Sequence, residues 1–379
     1  VTVRKITGGG LVIESPVALG RYETQIGQML RRWARQTPLS PFLAERDTHG
    51  RWIRLCYAEA ADRADSVSQA LLDRNLSLKR PVMVLSGNSI EHALLSLGAM
   101  QVGIPVVPVS PAYSLLSGDH QRLKALFELC SPGLIYVSDC DQFTPALAAL
   151  PLAGTELVTG ANNGAGPSAT AFTDLLATPA QGAVNRAFDA VGPETVAKVL
   201  FTSGSTGPPK GVCYEHGMFD SQVRLIKERY RISWGEVDLT TLPIFGLFNP
   251  ALGITTVVPE LNPSRPAKAD PEKLVQAILE RKVTNAFGSP TLWRRISDHC
   301  DEARIRLPLI KRIMIAGASV TPDLLLRLQR TLPNASIHIP YGATEALPVA
   351  SATADQILAG PARLTGKGKG TCLGRPIPE

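Results

Sequence analysis

The stretch TSGSTGPPKG, Thr202 to Gly211, combines residue types that together can hold a phosphate. It carries the hydroxyls of Thr202, Ser203, Ser205 and Thr206, the unhindered backbone of Gly204 and Gly207, and the ammonium of Lys210. Successive backbone N–H groups in a tight turn form a concave nest for anions. Hydroxyls add donors, and lysine adds a point charge on a flexible stem. The order is not that of the phosphate loop G-x-x-x-x-G-K-[ST]. Gly211 follows Lys210, so the hydroxyl that would hold magnesium in that motif is missing. Pro208 and Pro209 oppose a helix, whereas KGVCYEH alternates as a strand does. The expectation is a strand–loop–strand grip; a surface hairpin without a ligand is the plain structural alternative.

The elements around this loop must hold it in place. Residues 25–36 and 57–75 have helical periodicity, with Ile26, Met29, Leu30 and Trp33 on one face of the first and Ala61, Ala64, Val67, Leu71 and Leu72 on one face of the second. RPVMVLSGN contains a continuous apolar run of the kind buried in a parallel sheet. A helix follows, with Ser89 as N-cap and Gly103 as its stop. IPVVPVS and GLIYVSD repeat the strand theme around the helix HQRLKALFELC. Further on, LVQAILERKV reads as a helix, TNAFGSP as strand and turn, and IKRIMIAG as a strand. TPDLLLRLQRTL reads as a helix with Thr321 as N-cap and Pro322 in its first turn, and SIHIPYGATE as a strand running into a loop. This alternation predicts an α/β fold. The Gly-, Ala-, Asn- and Ser-rich run within residues 151–193 reads as a surface excursion, with regular structure resuming at TVAKVLF.

Composition narrows the classes. Hydrophobic residues make up 44% and charged residues 19% of the chain, enough for a sizeable core. The net charge of +6 comes with short basic clusters, Arg31–Arg32, Arg294–Arg295 and Lys367 with Lys369, none interleaved with aromatics. That pattern is a solvated face rather than a nucleic-acid footprint. The six cysteines are scattered, without C-x-x-C or a Cys/His cluster, so neither zinc nor a disulfide framework is indicated and a cytoplasmic compartment is expected. No apolar stretch has the length of a membrane span.

In order, TSGSTGPPKG resembles the T-S-G-[ST]-T-G-x-P-K-G signature of the adenylate-forming superfamily: acyl-CoA synthetases, luciferases and peptide-synthetase adenylation domains. Every fixed position is met between Thr202 and Gly211. Three further stretches are similar to that family's motifs: LCYAEAADRADSVSQAL at 55–71, IMIAGASVTPDLL at 313–325 and IPYGATE at 339–345. The likeness runs from Gln25 to Pro378. It implies an α/β chain forming the family's large N-terminal domain, with mixed sheets flanked by helices. Its subdomains would lie at roughly 25–193 and 194–379, behind an extension at 1–24.

Carried across, the resemblance implies that Thr202, Ser203, Gly204, Ser205, Thr206, Gly207 and Lys210 grip the β- and γ-phosphates of ATP. Gly317 and Ala318 would approach adenine through the backbone, with Tyr341 and Gly342 beside them and Tyr341 stacked on the ring. Thr344 would hydrogen-bond the α-phosphate, and Glu345 would bind Mg2+. Lys210, Thr344 and Glu345 would be the catalytic set. Phe245, Gly246, Phe248, Phe287 and Ser289 would line the acid's pocket. The reaction implied is activation of a carboxylic acid as an acyl-adenylate.

Two features depart from the family pattern. LPIFGLFNPALG places Gly246 where many acyl-CoA synthetases carry a histidine or aromatic bordering the pocket. The segments before Val212 resemble hydroxycinnamate-CoA ligases, whereas those after it resemble β-lactone synthetases of bacterial olefin biosynthesis. The resemblance therefore leaves three outcomes: lactone closure of a β-hydroxy acid, thioester formation with CoA as co-substrate, or a non-catalytic nucleotide- or acyl-binding module. The family's small C-terminal lid domain, with its second lysine, is not among these residues; the expectation is that it lies downstream in a full-length protein or acts in trans.

Overall fold

The runs VMVL (Val82–Leu85) and LIYV (Leu134–Val137) are buried at every position. Such runs survive only where both faces of a sheet are covered, and a computed structural model of the chain shows how. It describes residues 2–14, 16, 25–160, 169–202, 210–241, 249–262 and 265–377. In chain order the elements used below are β1 (Thr2–Lys5), β2 (Leu11–Glu14), α1 (Ile26–Gln36), β3 (Pro41–Arg46), β4 (Trp52–Cys56), α2 (Tyr57–Asp73), β5 (Val82–Leu85), α3 (Ile90–Met100) and β6 (Val106–Pro108). They continue with α4 (Pro111–Leu115), α5 (Gln121–Cys130), β7 (Leu134–Val137), α6 (Cys140–Ala148), β8 (Glu156–Thr159), β9 (Thr170–Ala171), α7 (Phe172–Leu176), α8 (Gly182–Ala190), β10 (Val196–Thr202), β11 (Lys210–Glu215) and α9 (His216–Tyr230). The remaining strands are β12 (Val237–Thr240), β13 (Thr255–Val257), β14 (Asn285–Gly288), β15 (Arg312–Ile315), β16 (Ser336–Ala343), β17 (Ala346–Thr353) and β18 (Arg375–Pro376).

A seven-stranded sheet runs in the order β11-β10-β6-β5-β7-β8-β9, and a nine-stranded sheet in the order β18-β17-β16-β15-β14-β12-β13-β3-β4; β1 and β2 pair alone. The first sheet is parallel except for the β10–β11 edge. The second is parallel at its centre and antiparallel at both edges. Alternate residues of a strand face opposite ways. Val82 and Val84 therefore meet α2 and α3, whereas Met83 and Leu85 meet α5 and α6. In the second sheet Leu239, Ala286, Ile313 and Ile337 pack on the helices Pro271–Glu280, Pro290–Glu302 and Pro322–Thr331. Phe287 and Met314 face the other way, into a cluster shared with α1, α2, α3 and α9. One helical layer thus lies between the two sheets and another covers each outer face. Each fully buried Leu or Ile in these layers contributes about 1.5–3 kcal/mol.

Caps fall where the sequence reading placed them. The Ser89 hydroxyl accepts from His92 N and that of Thr321 from Leu324 N. Residues 151–160 and 169–193 correct the reading of a surface excursion, whereas 161–168 lie outside the described residues. Glu156–Thr159 forms β8, paired in parallel with β7, and Phe172, Leu175, Val184 and Phe188 of α7 and α8 are buried. The four-residue ELVT carries too short a pattern to stand out of Gly- and Asn-rich surroundings, and its partner strand rather than its own composition makes it a strand. No described helix is long and apolar enough to cross a membrane.

Candidate active site

β10 and β11 pair antiparallel, with Leu200 opposite Val212, Phe201 opposite Gly211 and Thr202 opposite Lys210. The strand–loop–strand reading therefore holds at both ends of the loop. Thr202 and Lys210 stand at its mouth, on the edge of the seven-stranded sheet, with Lys210 exposed. Ser203, Gly204, Ser205, Thr206 and Gly207 lie outside the described residues, as do Phe245, Gly246 and Phe248.

The other half of the site is built on the carboxyl ends of parallel strands in the second sheet, where open α/β sheets place ligands. β15 ends at the buried Ile315 and opens into Gly317 and Ala318, both exposed. Gly317 has φ +91°, in the left-handed region, and nothing lies within 4 Å of the position a Cβ would take. A ligand ring can therefore approach that backbone closely. β15 pairs with β16 as far as Met314 opposite His338, and Gly317 and Tyr341 both lie beyond that pair on the carboxyl side of their strands. The Tyr341 side chain is 49% exposed, offering a free aromatic face. The sequence reading ran SIHIPYGATE into a loop; instead β16 turns back at once as β17. Tyr341 pairs with Ala350 and Ala343 with Ala346, so Thr344 and Glu345 form the turn of a hairpin. Gly342 is required there, because a Cβ would sit 2.6 Å from the Ala346 carbonyl oxygen.

The two halves touch. The Tyr214 hydroxyl of β11 donates to the Thr344 carbonyl at the hairpin tip. Gln222 Nε2 of α9 donates to the Leu347 carbonyl at 3.1 Å. Burial pushes the Tyr214 phenol above its ordinary pKa; the Gln222 amide acts in the opposite sense, and the nearby charge of Glu345 adds to the rise. Neither Tyr214 nor Gln222 is marked by the loop motif, and nothing local in the sequence signals a contact with the second sheet.

Phe287 and Ser289 sit at the end of β14. The Phe287 side chain is 3% exposed within the inter-sheet cluster, and its carbonyl accepts from the Thr241 hydroxyl at 2.6 Å. The Ser289 hydroxyl caps the helix Pro290–Glu302 by accepting from Leu292 N at 3.2 Å. An apolar crevice nearby, absent from the sequence reading, is lined by Ile226 and Tyr230 of α9, Met314, Pro340, Leu347 and Pro348.

A buried polar cluster brackets residues 242–248. Asp238 Oδ2 accepts from Thr240 Oγ1 at 2.8 Å and Asn249 Nδ2 at 3.1 Å, and Asn249 Nδ2 also donates to Thr256 at 2.9 Å. Burial, the largest influence, raises the Asp238 carboxyl from 3.8 to about 6. An acid whose folded pKa lies above its unfolded value binds more protons when folded. Its penalty is absent below pH 4, grows as pH rises, and is complete above pH 6. Asp238→Asn keeps an oxygen acceptor for both bonds. The variant should gain stability relative to the parent between pH 4 and pH 7, by up to about 3 kcal/mol. Chemical denaturation at the two pH values measures this, and a gap that stays constant contradicts it. Burial also raises Glu45, to about 7, but that background is common to both proteins and cancels in the comparison.

Among the described residues no group of three or more His, Cys, Asp or Glu side chains could hold a metal ion. Magnesium is commonly bound by one or two carboxylates together with substrate phosphates. Glu345, exposed in its turn, fits that mode.

The family model described as AMP-binding enzyme matches residues 30–379. The olefin beta-lactone synthetase of Xanthomonas campestris pv. campestris is 34% identical over 326 residues, covering 86% of this chain and 56% of that protein. That of Stenotrophomonas maltophilia is 35% identical, covering 86% and 57%. The chain thus spans little more than half the length of these relatives. A 326-residue match is also too long to be confined to either half of the chain. The inhibitor-bound N-terminal domain of FACL13 from Mycobacterium tuberculosis superposes with a TM-score of 0.72 at 18% identity, covering 89% of this chain and 80% of that one. At that identity the likeness speaks to the fold.

Proposed function

Because the chain belongs to the AMP-binding enzyme family, we propose that it activates a carboxylic acid with ATP as an acyl-adenylate, and that the acid is a 3-hydroxy acid closed to a β-lactone. The observation that carries this reading is the contact of Tyr214 with the Thr344 carbonyl, which brings β11, the strand that begins at Lys210, against the Thr344–Glu345 turn. The similarity to olefin beta-lactone synthetases supports the second step.

A triphosphate spanning the two tips would place its β- and γ-phosphates at Thr202 and Lys210 and its α-phosphate at Thr344. Adenine would lie between Gly317 and Tyr341. A carboxylate oxygen of the acid attacks the α-phosphorus, the bond to the β-phosphate oxygen breaks, and pyrophosphate leaves with the electron pair. Lys210 would stabilise that developing charge. Magnesium held by Glu345 and the phosphates would neutralise part of it. The acid's own 3-hydroxyl oxygen then attacks the acyl carbon, closing a four-membered ester. The acyl–phosphate C–O bond breaks, AMP leaves, and the hydroxyl proton passes to solvent.

The test is product analysis with 3-hydroxydecanoate, ATP and Mg2+, with and without CoA. The expected result is AMP and β-lactone in equal amounts, indifferent to CoA. A CoA thioester as product would replace lactone closure by thioester formation. Nucleotide binding with no AMP from any acid would leave a binding module.

A further inference from the structure

We propose that the Tyr214 phenol and the Gln222 amide are a latch that holds the Thr344–Glu345 turn against β11, the strand that begins at Lys210, so that one triphosphate can engage both Lys210 and Thr344. The inference rests on the nucleotide assignment above and adds two positioning residues to it.

Tyr214 belongs to the strand that leaves the loop, in the seven-stranded sheet, whereas Thr344 belongs to the nine-stranded sheet. Its hydroxyl therefore joins the two sheets, four residues along β11 from Lys210. The phenol cannot easily swing away. Tyr214 is 3% exposed; its ring lies 4.6 Å from Nζ of Lys198, its cross-strand partner, and 5.9 Å from the Phe219 ring. Gln222 makes the second point, to Leu347, just past the turn. Further along α9, Arg229 donates to the Ser351 carbonyl at 2.9 Å, and Tyr230 lies 3.4 Å from the Ser351 hydroxyl. β17 is thus fastened along α9, and the latch is the end of that seam nearest the turn.

Ligands of different length should sense such a latch differently. AMP needs only the turn side of the site, and pyrophosphate needs only the loop side. ATP bridges both, so its affinity includes the effective concentration of one half with respect to the other. Loosening the latch leaves each half intact and misplaces them relative to one another, and small misplacements cost heavily in bridged geometries.

The experiment titrates the wild-type chain, Tyr214→Phe, Gln222→Met and the double variant with AMP, pyrophosphate and α,β-methylene-ATP, each with Mg2+. Tyr214→Phe keeps the packed ring and Gln222→Met the chain length, and thermal melting checks folding. The expected result is AMP and pyrophosphate affinities within about 2-fold of wild type and the ATP analogue weakened by about 10-fold or more, most in the double variant. An unchanged analogue affinity, or equal weakening of all three ligands, overturns the proposal. If the wild-type chain binds none of the three, the nucleotide assignment beneath it falls as well.

Discussion

Lys210→Ala should weaken binding of pyrophosphate and ATP by about 10- to 100-fold while leaving AMP within about 2-fold. The lysine sits at the exit of the loop, directly opposite Thr202 and exposed, where it is free to follow a phosphate oxygen. A charge-assisted hydrogen bond of this kind contributes about 1.5–3 kcal/mol, and each 1.4 kcal/mol is about tenfold in affinity. AMP has neither of the outer phosphates that Lys210 would meet. The fold should not notice the change: exposed side chains away from caps and buried networks usually alter stability by less than about 0.5 kcal/mol. Calorimetric titration with the three ligands and a thermal melt read all of this. Equal weakening of AMP and pyrophosphate would place Lys210 elsewhere than on the leaving group.

Glu345→Gln should lower the adenylation rate by about 100-fold and flatten its dependence on magnesium, again without a loss of stability. The substitution keeps shape and removes charge. Glu345 is exposed in the β16–β17 turn, so no packing is disturbed. The free AMP affinity should change little, because a metal bound between carboxylate and phosphates matters most while negative charge builds on the departing pyrophosphate. Rate measured against magnesium concentration is the readout. An unaltered magnesium dependence would remove Glu345 from the metal.

How far this site could be read in advance varies along the chain. The two strands that flank residues 203–209 were legible because their punctuation is local: Pro208 and Pro209 bar a helix, KGVCYE alternates, and the observed β10–β11 pairing follows. Caps such as Ser89 and Thr321 are local in the same sense. β8 was hidden, since four residues carry little pattern and its partner β7 makes it a strand. The hairpin return after Ala343 was hidden too: antiparallel register depends on both strands, and the strand beyond the turn gave no separate signal. Ser289 shows another limit. Its hydroxyl accepts from Leu292 N as a helix cap and keeps its O–H to donate, so a local cap signal and a substrate contact cannot be told apart from the residue type. The Tyr214 and Gln222 contacts link positions more than 120 residues apart, and no periodicity in either segment records them.

The central claim is that the loop on one sheet and the hairpin tip on the other form one adenylating site. Acid-dependent exchange of labelled pyrophosphate into ATP tests it most directly, because exchange requires nucleotide, acid and leaving group to meet reversibly. The account predicts exchange that appears with a 3-hydroxy acid, disappears without it and is lost in the Lys210→Ala, Glu345→Gln double variant. Exchange absent with every acid, from a chain that also fails to bind AMP, would contradict it.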